Sequence, residues 1–129
     1  MRRQPKRRPR KAEADFKKRV TFEVFRDPKD EREFLIKPKE AYVEYGGTVN
    51  FTSRGTALIV FFPTPGRPYV PFRPLKKRPF FTVSPRGRQL SVLKPKAQRR
   101  GERVYVFAVY CKKLNTFAHA SMPRMIVGP

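Results

Sequence analysis

The chain has 129 residues, and its 31 Lys and Arg against 10 Asp and Glu give a formal net charge of +21 at pH 7. This length fits one small domain. So large a positive excess opposes compaction unless a polyanion neutralises it. No run approaches the roughly 18 apolar residues of a membrane-spanning helix, and the single Cys excludes an internal disulfide. We therefore expect a cytoplasmic protein without a membrane span.

Residues 1–19 are predicted to form a flexible basic arm. The first eleven, MRRQPKRRPRK, contain no apolar residue after Met1 and cannot bury enough surface to offset the entropy of ordering. Residues 10–19, RKAEADFKKR, have a helix-forming composition but only one large apolar residue, Phe16. A helix there would need a partner surface. We expect the arm to be disordered when free and to order on binding.

From residue 20 onward, short apolar runs rich in β-branched and aromatic residues are punctuated by Gly and Pro. Such runs are typical of β-strands. They read VTFEVF, EFLIK, AYVEY, TVNFTS, ALIVFF, FFTV, QLSVLK, RVYVFAVYC and RMIV. We predict an all-β domain over residues 20–129, an antiparallel Greek-key β-sandwich of seven to nine short strands.

Residues 63–79, PTPGRPYVPFRPLKKRP, contain six of the fourteen prolines. Proline removes a backbone donor and favours extended backbone. We predict a long ordered or semi-ordered loop, and loops of this length within a compact domain are often functional.

Four segments that begin at Tyr42 together resemble the cupredoxin-like fold of plastocyanin and azurin. They read YVEYGGTVNFTSRGTALIVFFPTP, FFTVSPRGRQLSVL, GERVYVFAVYC and PRMIV. In that family a Gly-rich turn precedes a strand that ends near an Asn, a Pro follows the next apolar strand, and the penultimate strand is rich in Tyr. The resemblance covers about residues 20–127 and implies a cupredoxin-like sandwich; an immunoglobulin-like sandwich is the alternative.

The resemblance also implies a type 1 copper site, with Cys111, His119 and Met122 as thiolate, imidazole and axial thioether ligands. The family's site uses a second imidazole, but His119 is the only His in the chain and residues 56–62 read TALIVFF. Because the ligand set is incomplete, we expect no metal and no cofactor. Cys111 is then expected to be a small buried apolar residue and Met122 to pack in the core or at its rim.

No arrangement typical of a catalytic site is present, and we expect no enzymatic activity. The acidic run at 27–33, DPKDERE, is interleaved with Lys29 and Arg32, which favours a solvated turn with local charge pairing over an acid–base site. The chain also lacks a phosphate-cradling glycine motif and the paired Cys and His of zinc sites.

Basic residues are concentrated at the two ends of the chain: the net charge is +8 over residues 1–19, −1 over 20–60 and +14 over 61–129. Lys and Arg bind phosphate by charge, and the planar Arg side chain also clamps phosphate or stacks on a base. The candidate nucleic-acid-binding residues are Arg2, Arg3, Lys6, Arg7, Arg8, Arg10, Lys11, Lys17, Lys18 and Arg19 in the arm, Arg67, Arg73, Lys76, Lys77 and Arg78 in the proline-rich loop, and Arg86, Arg88, Arg99 and Arg100 in turns. Lys94, Lys96, Arg103, Lys112 and Lys113 add to the same half.

We predict a non-enzymatic polyanion-binding protein whose partner is nucleic acid, with RNA favoured over DNA, associated with the ribosome or another ribonucleoprotein. Tyr69, Phe72, Phe80 and Phe81 are candidates for base stacking, although at least one of Phe80 and Phe81 should face the core. Four alternatives stay open: a double-stranded-DNA or nucleoid protein, a capsid-type subunit with a genome-packaging arm, a cupredoxin-type copper protein, and an adaptor to an acidic protein or an anionic membrane surface.

Overall fold

The computed structural model describes residues 16–63, 71–72, 78–93, 101–118 and 122–129. This part of the chain contains ten β-strands and no helix; accordingly, it has no helix of the length and hydropathy that would span a membrane. The predicted all-β fold is confirmed. The strands are β1 (Lys17–Asp27), β2 (Asp30–Lys37), β3 (Glu40–Thr52), β4 (Leu58–Phe61), β5 (Phe80–Val83), β6 (Arg88–Ser91), β7 (Arg103–Val106), β8 (Ala108–Cys111), β9 (Thr116–Phe117) and β10 (Arg124–Gly128).

Sheet A has six strands in the order β2-β1-β3-β10-β7, with β6 also paired to β3. The prediction of a purely antiparallel sandwich is wrong for this sheet, because β3 runs parallel to both β1 and β10. Alternation of apolar residues identifies the buried face of a strand but carries no information about which distant strand lies beside it or in which direction that neighbour runs. The sheet is therefore mixed.

Sheet B has four strands in the order β5-β4-β8-β9, and all of its pairs are antiparallel. Its strands are only two to four residues long. In β4, Leu58 and Val60 are fully buried, and across β5 Phe81 and Val83 face the same interior. These side chains meet those of sheet A, so the predicted two-sheet sandwich is confirmed.

Two irregular points explain why ten strands form from nine predicted runs. AYVEY and TVNFTS form the single strand β3, which is irregular at Gly46, where φ is positive at 79°, a conformation that Gly adopts without steric penalty. RVYVFAVYC instead divides into β7 in sheet A and β8 in sheet B, with the buried Phe107 between them. The amide N–H of Phe107 donates to the carbonyl of Pro123 at 3.1 Å. The two-residue β9 is an addition that the sequence did not indicate.

A cluster of phenylalanine rings fills the space between the sheets. Phe51 on β3 contacts Phe22 and Phe107 at centroid distances of 5.6 and 5.7 Å, and it contacts Phe81 across the sandwich at 5.5 Å. All four side chains are buried. Edge-to-face and offset ring pairs of this kind add to the free energy gained from burial alone. The aromatic residues of both sheets therefore form one core.

Strand β1 begins at Lys17, three residues before the predicted boundary between arm and domain. Residues 17–19 are consequently part of sheet A, not of a flexible arm or a helix. The apolar residue of the predicted helical segment, Phe16, packs its ring edge-to-face on Tyr42 at 5.5 Å. A Cβ on Gly128 would meet that ring, so the absence of a side chain at Gly128 leaves room for Phe16 beside the start of β1. Residues 1–15 lie outside the described residues.

The proline-rich loop predicted at 63–79 falls mostly outside the described residues. Within it, Phe72 is fully buried and forms an isolated bridge with Val92. The amide N–H of Phe62 donates to the carbonyl of Pro79 at 2.7 Å. Phe72 is thus a core residue, and a backbone hydrogen bond joins Phe62 to Pro79.

Candidate nucleic-acid interface

Six of the predicted nucleic-acid-binding residues are described. Lys17, Lys18 and Arg19 lie on β1 in sheet A, and all three are exposed. Arg78 and Arg86 lie before and after β5 of sheet B, and Arg88 begins β6 of sheet A. The others fall outside the described residues: Arg2, Arg3, Lys6, Arg7, Arg8, Arg10, Lys11, Arg67, Arg73, Lys76, Lys77, Arg99 and Arg100.

The arginines around β5 fall into two kinds. Arg78 and Arg86 are exposed, and Arg86 lies in the turn that links β5 to β6, as the sequence predicted. Arg88 is half-buried: its Nη1 donates to the carbonyl of Thr82 at 2.9 Å and its guanidinium lies 5.8 Å from the Phe81 ring centroid. Arg88 therefore contributes to the fold, whereas Arg78 and Arg86 present their charge to solvent.

Acidic residues are confined to one side of the described structure. Seven carboxylates lie in the β1-β2-β3 segment of sheet A, and the eighth, Glu102, immediately precedes β7 of the same sheet. Sheet B and its adjoining residues, 57–63, 78–87 and 108–118, contain no Asp or Glu. They do contain the exposed Arg78, Arg86, Lys112 and Lys113. Sheet B therefore has positive charge with no acidic residue beside it, whereas sheet A has charges of both signs.

Ion pairs neutralise part of the positive charge on and beside sheet A. Glu23 forms ion pairs with Arg54 at 2.6 Å and with Lys37 at 3.9 Å, and Glu40 forms one with Arg124 at 2.9 Å. Within the described ranges, none of Arg78, Arg86, Lys112 and Lys113 has a carboxylate partner. The charge beside sheet B is thus available to an external anion.

The acidic run that the sequence assigned to a solvated turn forms the β1–β2 hairpin. The amide N–H of Lys29 donates to Asp27 Oδ1 at 2.8 Å. The amide N–H of Arg32 donates to Asp30 Oδ1 at 3.0 Å. The Arg32 side chain also forms an exposed ion pair with the Asp30 carboxylate at 3.6 Å. The predicted local pairing of charges is present here.

The outward side of sheet B carries large apolar side chains. Residues directly opposite each other on adjacent strands share a face, and the strand register produces two rows across the sheet. The first row is Phe80, Phe61 and Ala108, and the second is Thr82, Ile59, Tyr110 and Phe117. We call these seven residues the aromatic face.

Three rings of the aromatic face are strongly exposed: Phe61 by 38%, Phe80 by 40% and Phe117 by 54%. Phe117 packs edge-to-face on Tyr110 at 5.1 Å, and the Tyr110 hydroxyl donates to Asn115 Oδ1. The guanidinium of Arg78 lies 5.8 Å from the Phe80 ring centroid. Contiguous exposed apolar surface on a small protein marks an interaction site, and here a cation lies directly beside it.

The sequence prediction of stacking residues was partly wrong. Phe72 and Phe81 are core residues, because they are 0% and 4% exposed. Phe80 is 40% exposed and Phe81 is buried, which confirms that at least one of the two faces the core. Tyr69 lies outside the described residues. Phe61 and Phe117 were missed; the signal for Phe61 was the run ALIVFF, which is apolar at every position instead of alternating with polar residues.

Of the three residues that resemble type 1 copper ligands, the structure describes Cys111 and Met122, and these two differ in burial. Cys111 is 1% exposed and belongs to the core cluster, whereas Met122 is 45% exposed and does not pack in the core or at its rim as predicted. His119 lies outside the described residues. No group of three or more His, Cys, Asp or Glu within the described ranges has the arrangement of a metal site.

A scan against protein families found no match, and neither did a search of curated proteins. Among solved structures, the chain is similar to the crystal structure of McoA multicopper oxidase from the hyperthermophile Aquifex aeolicus, with 12% sequence identity and a TM-score of 0.41. The similarity covers 97% of this chain and 32% of the oxidase chain, so this chain spans about a third of that protein's length. A similarity at this level assigns neither a copper site nor oxidase activity to this chain.

Proposed function

We propose that this chain is a non-enzymatic RNA-binding protein, a component of the ribosome or of another ribonucleoprotein, that contacts the phosphate backbone with its arm and with the basic side chains beside sheet B. The observation that carries the proposal is the segregation of charge in the sandwich. The described carboxylates lie in or next to the strands of sheet A, and sheet B has exposed Arg and Lys without any. A polyanion that approaches sheet B meets attraction with no opposing acid.

The size of the positive excess supports a polyanion over simple solubility. Residues 61–129 contain 15 basic residues and a single acid, whereas a net charge of about 2 to 8 is enough to keep a small domain soluble. RNA is favoured over duplex DNA because single-stranded and irregular RNA exposes both phosphates and bases to loops and sheets, which are the elements that the described residues form.

We propose further that the sandwich is cupredoxin-like but lacks a complete copper site. The burial of Cys111 in the core and the exposure of Met122 support this reading, as does the absence of a second His from the sequence. Titration with Cu²⁺ tests it: we expect no thiolate-to-copper charge-transfer band, and a blue complex that disappears in Cys111→Ser would contradict it.

Binding as a function of salt concentration tests the nucleic-acid proposal. The purified chain is titrated against labelled single-stranded RNA, and against RNA and DNA duplexes of the same sequence, by fluorescence anisotropy from about 50 to 300 mM KCl. We expect log K to fall steeply and linearly with log[KCl], and RNA to bind more tightly than DNA. A flat salt dependence, or no binding at the lowest salt, would contradict the proposal. Equal or tighter binding of the DNA duplex would favour the nucleoid alternative, and assembly into large closed particles would favour a capsid-type subunit.

A further inference from the structure

We infer that the aromatic face of sheet B is a stacking platform for unpaired bases, so that the RNA recognised by this chain is single-stranded where it crosses the sheet. This inference rests on the proposed RNA-binding function and names the surface and the class of RNA. It is carried by the juxtaposition of exposed rings with exposed cations on a sheet that has no carboxylate.

The rings are spaced for more than one base. Phe61 and Phe80 are directly opposite each other on β4 and β5, and Tyr110 and Phe117 are opposite each other on β8 and β9. Since Phe61 is opposite Ala108, Tyr110 lies one strand over and two residues along. Diagonal neighbours of this kind are about 7–8 Å apart. The face thus offers two aromatic positions to successive nucleotides of an extended strand.

Cations lie beyond both ends of the strands that carry these rows. Arg78 precedes β5 and lies over Phe80, at the end of the sheet formed by Phe80, Phe61 and Ala108. Val83 and Cys111 are both opposite Leu58, so the turn that contains Arg86 and the turn that contains Lys112 and Lys113 leave from the other end. A strand of RNA whose bases stack on the rings would have its phosphates near positive charge at either end of the platform.

Charge also distinguishes this occupant from a second copy of the chain. Two copies that met through sheet B would bring two surfaces without carboxylates, each on a chain of net charge +21, into contact. Juxtaposition of like charges at an interface is strongly unfavourable. Single-stranded RNA brings the opposite charge together with a flat aromatic group, and these are complementary to the two features that the surface presents. Bases in a duplex are already stacked on one another and do not offer their faces.

Alanine and leucine substitutions on the aromatic face separate stacking from other roles. The variants Phe61→Ala and Phe80→Ala remove a ring, whereas Phe61→Leu keeps an apolar side chain without a π face. Phe25→Ala is the matched control, because Phe25 is a partly exposed aromatic residue on β1 in sheet A. Affinity is measured on the full chain with an unstructured single-stranded RNA of about 12 nucleotides, a length within the site sizes of single-strand-binding domains, and with a duplex RNA.

We expect Phe61→Ala, Phe80→Ala and Phe61→Leu each to weaken binding of the single strand by about 5- to 100-fold. Their effect on the duplex should stay within about twofold, because the duplex contacts the protein through its phosphates. Phe25→Ala should leave both affinities unchanged. Circular dichroism and thermal melting of each variant establish that the fold is intact. If Phe61→Leu and Phe61→Ala bind the single strand as tightly as the wild type does, the stacking platform is wrong. If both RNAs still bind in a salt-dependent way in that case, the proposed RNA-binding function stands.

A fluorescent reporter gives a second readout that does not depend on loss of affinity. The chain contains no Trp, so Phe80→Trp introduces a single indole at the exposed end of β5. We expect single-stranded RNA to quench its emission by stacking, and duplex RNA at equal occupancy to quench it much less. An unquenched indole in a saturated complex would contradict base stacking at this face. A concentration-dependent dimer that Phe61→Ala abolishes, and that RNA does not dissociate, would assign the face to a second copy instead.

Discussion

The outward faces of the two sheets differ although both sheets pack on the same core. Across β6, β3 and β1 of sheet A, the outward positions are small and polar: Ser91 is opposite Thr48, and Gln89 is opposite Asn50, which in turn is opposite Thr21. Sheet B instead exposes Phe61, Phe80 and Phe117. The polar side chains of the first face can hydrogen-bond to water, whereas the second face exposes apolar surface, which is unfavourable in water.

Apolar groups on the outward face of sheet A are mostly covered. Ile126 is opposite Tyr42 on β3 and is 4% exposed. Lys37 lies 5.0 Å from the ring centroid of Phe25. Among the large hydrophobic side chains described on this face, Val104 alone is exposed, at 53%, whereas sheet B exposes three. Sheet A therefore covers most of its own apolar side chains, whereas sheet B leaves three rings exposed, and these form the surface that we propose a partner covers.

The largest effect expected from one substitution is on the shared core. Phe51→Ala removes a fully buried ring that contacts aromatic residues of both sheets, so it should lower the free energy of unfolding by about 3–5 kcal/mol. Phe61→Ala, on the outward face of sheet B, should lower it by much less. Urea denaturation of the two variants measures the difference. Equal losses of stability would mean that Phe61 is a structural residue and would remove the contrast between inward and outward rings.

Deleting residues 1–14 should separate the contribution of the arm to RNA binding from the contribution of sheet B. The arm precedes β1, a strand of sheet A. The deletion keeps Phe16 and its packing on Tyr42, and it removes the seven basic residues of the first eleven. If all seven contact phosphates, the slope of log K against log[salt] for single-stranded RNA should become shallower by up to roughly 5. The selective effect of Phe61→Ala on single strands should persist in the shortened chain. An unchanged slope would place the phosphate contacts on the sandwich alone.

Cys111→Ser is expected to affect the fold but not binding. The Cys111 side chain is 1% exposed in the core, and a serine hydroxyl there would lose its water partners, which costs about 1–3 kcal/mol of stability. RNA affinity measured well below the melting temperature should equal that of the wild type. Lost affinity in a variant with unchanged circular dichroism would show that the β8–β9 region takes part in binding through Cys111.

Removing one exposed charge beside sheet B should have a smaller and more specific effect. Arg78→Gln and Arg86→Gln should each reduce the salt slope for RNA by about 0.7 to 1. Arg32→Gln is the matched control: Arg32 is 88% exposed, but it lies on the acidic hairpin beside Asp30. A reduction in slope as large for Arg32→Gln as for Arg78→Gln would mean that the protein binds RNA without a preferred side.

The smallest effect is expected on the polar face of sheet A. Asn50 donates a long hydrogen bond of 3.4 Å to Thr21 Oγ1 at an exposed position, and Asn50→Ala should change stability by no more than about 0.5 kcal/mol. Affinity for both single-stranded and duplex RNA should be unaffected, as a filter-binding measurement would show. A marked loss of affinity would make sheet A the binding face.

Much of the fold was predictable because each buried strand has its own local pattern. VTFEVF and TVNFTS alternate, and their inward residues Phe22, Val24, Val49 and Phe51 are those that the structure buries. The break at Phe107 was not predictable, because RVYVFAVYC contains no Gly or Pro to mark the passage from one sheet to the other. The parallel neighbours of β3 depend on contacts between segments far apart in the chain.

The candidate site was predictable in its charge but not in its shape. Composition alone indicated a polyanion partner, since the net charge of residues 61–129 is independent of the fold. Which rings are exposed depends on whether another layer covers sheet B, and a strand that is apolar on both sides is compatible with either arrangement. Phe61 and Phe81 have identical side chains in similar apolar runs; only the register of β4 and β5 places one outside and the other inside.

The central claim, that this protein is bound to RNA, is tested most directly by sedimentation of a native lysate on a sucrose gradient at moderate salt, with and without ribonuclease. High salt is avoided because it would dissociate phosphate contacts. We predict that the protein sediments with ribosomal or other ribonucleoprotein particles and moves to the top of the gradient after ribonuclease treatment. A light position that ribonuclease does not change would contradict the claim and would direct attention to DNA or to an acidic protein partner.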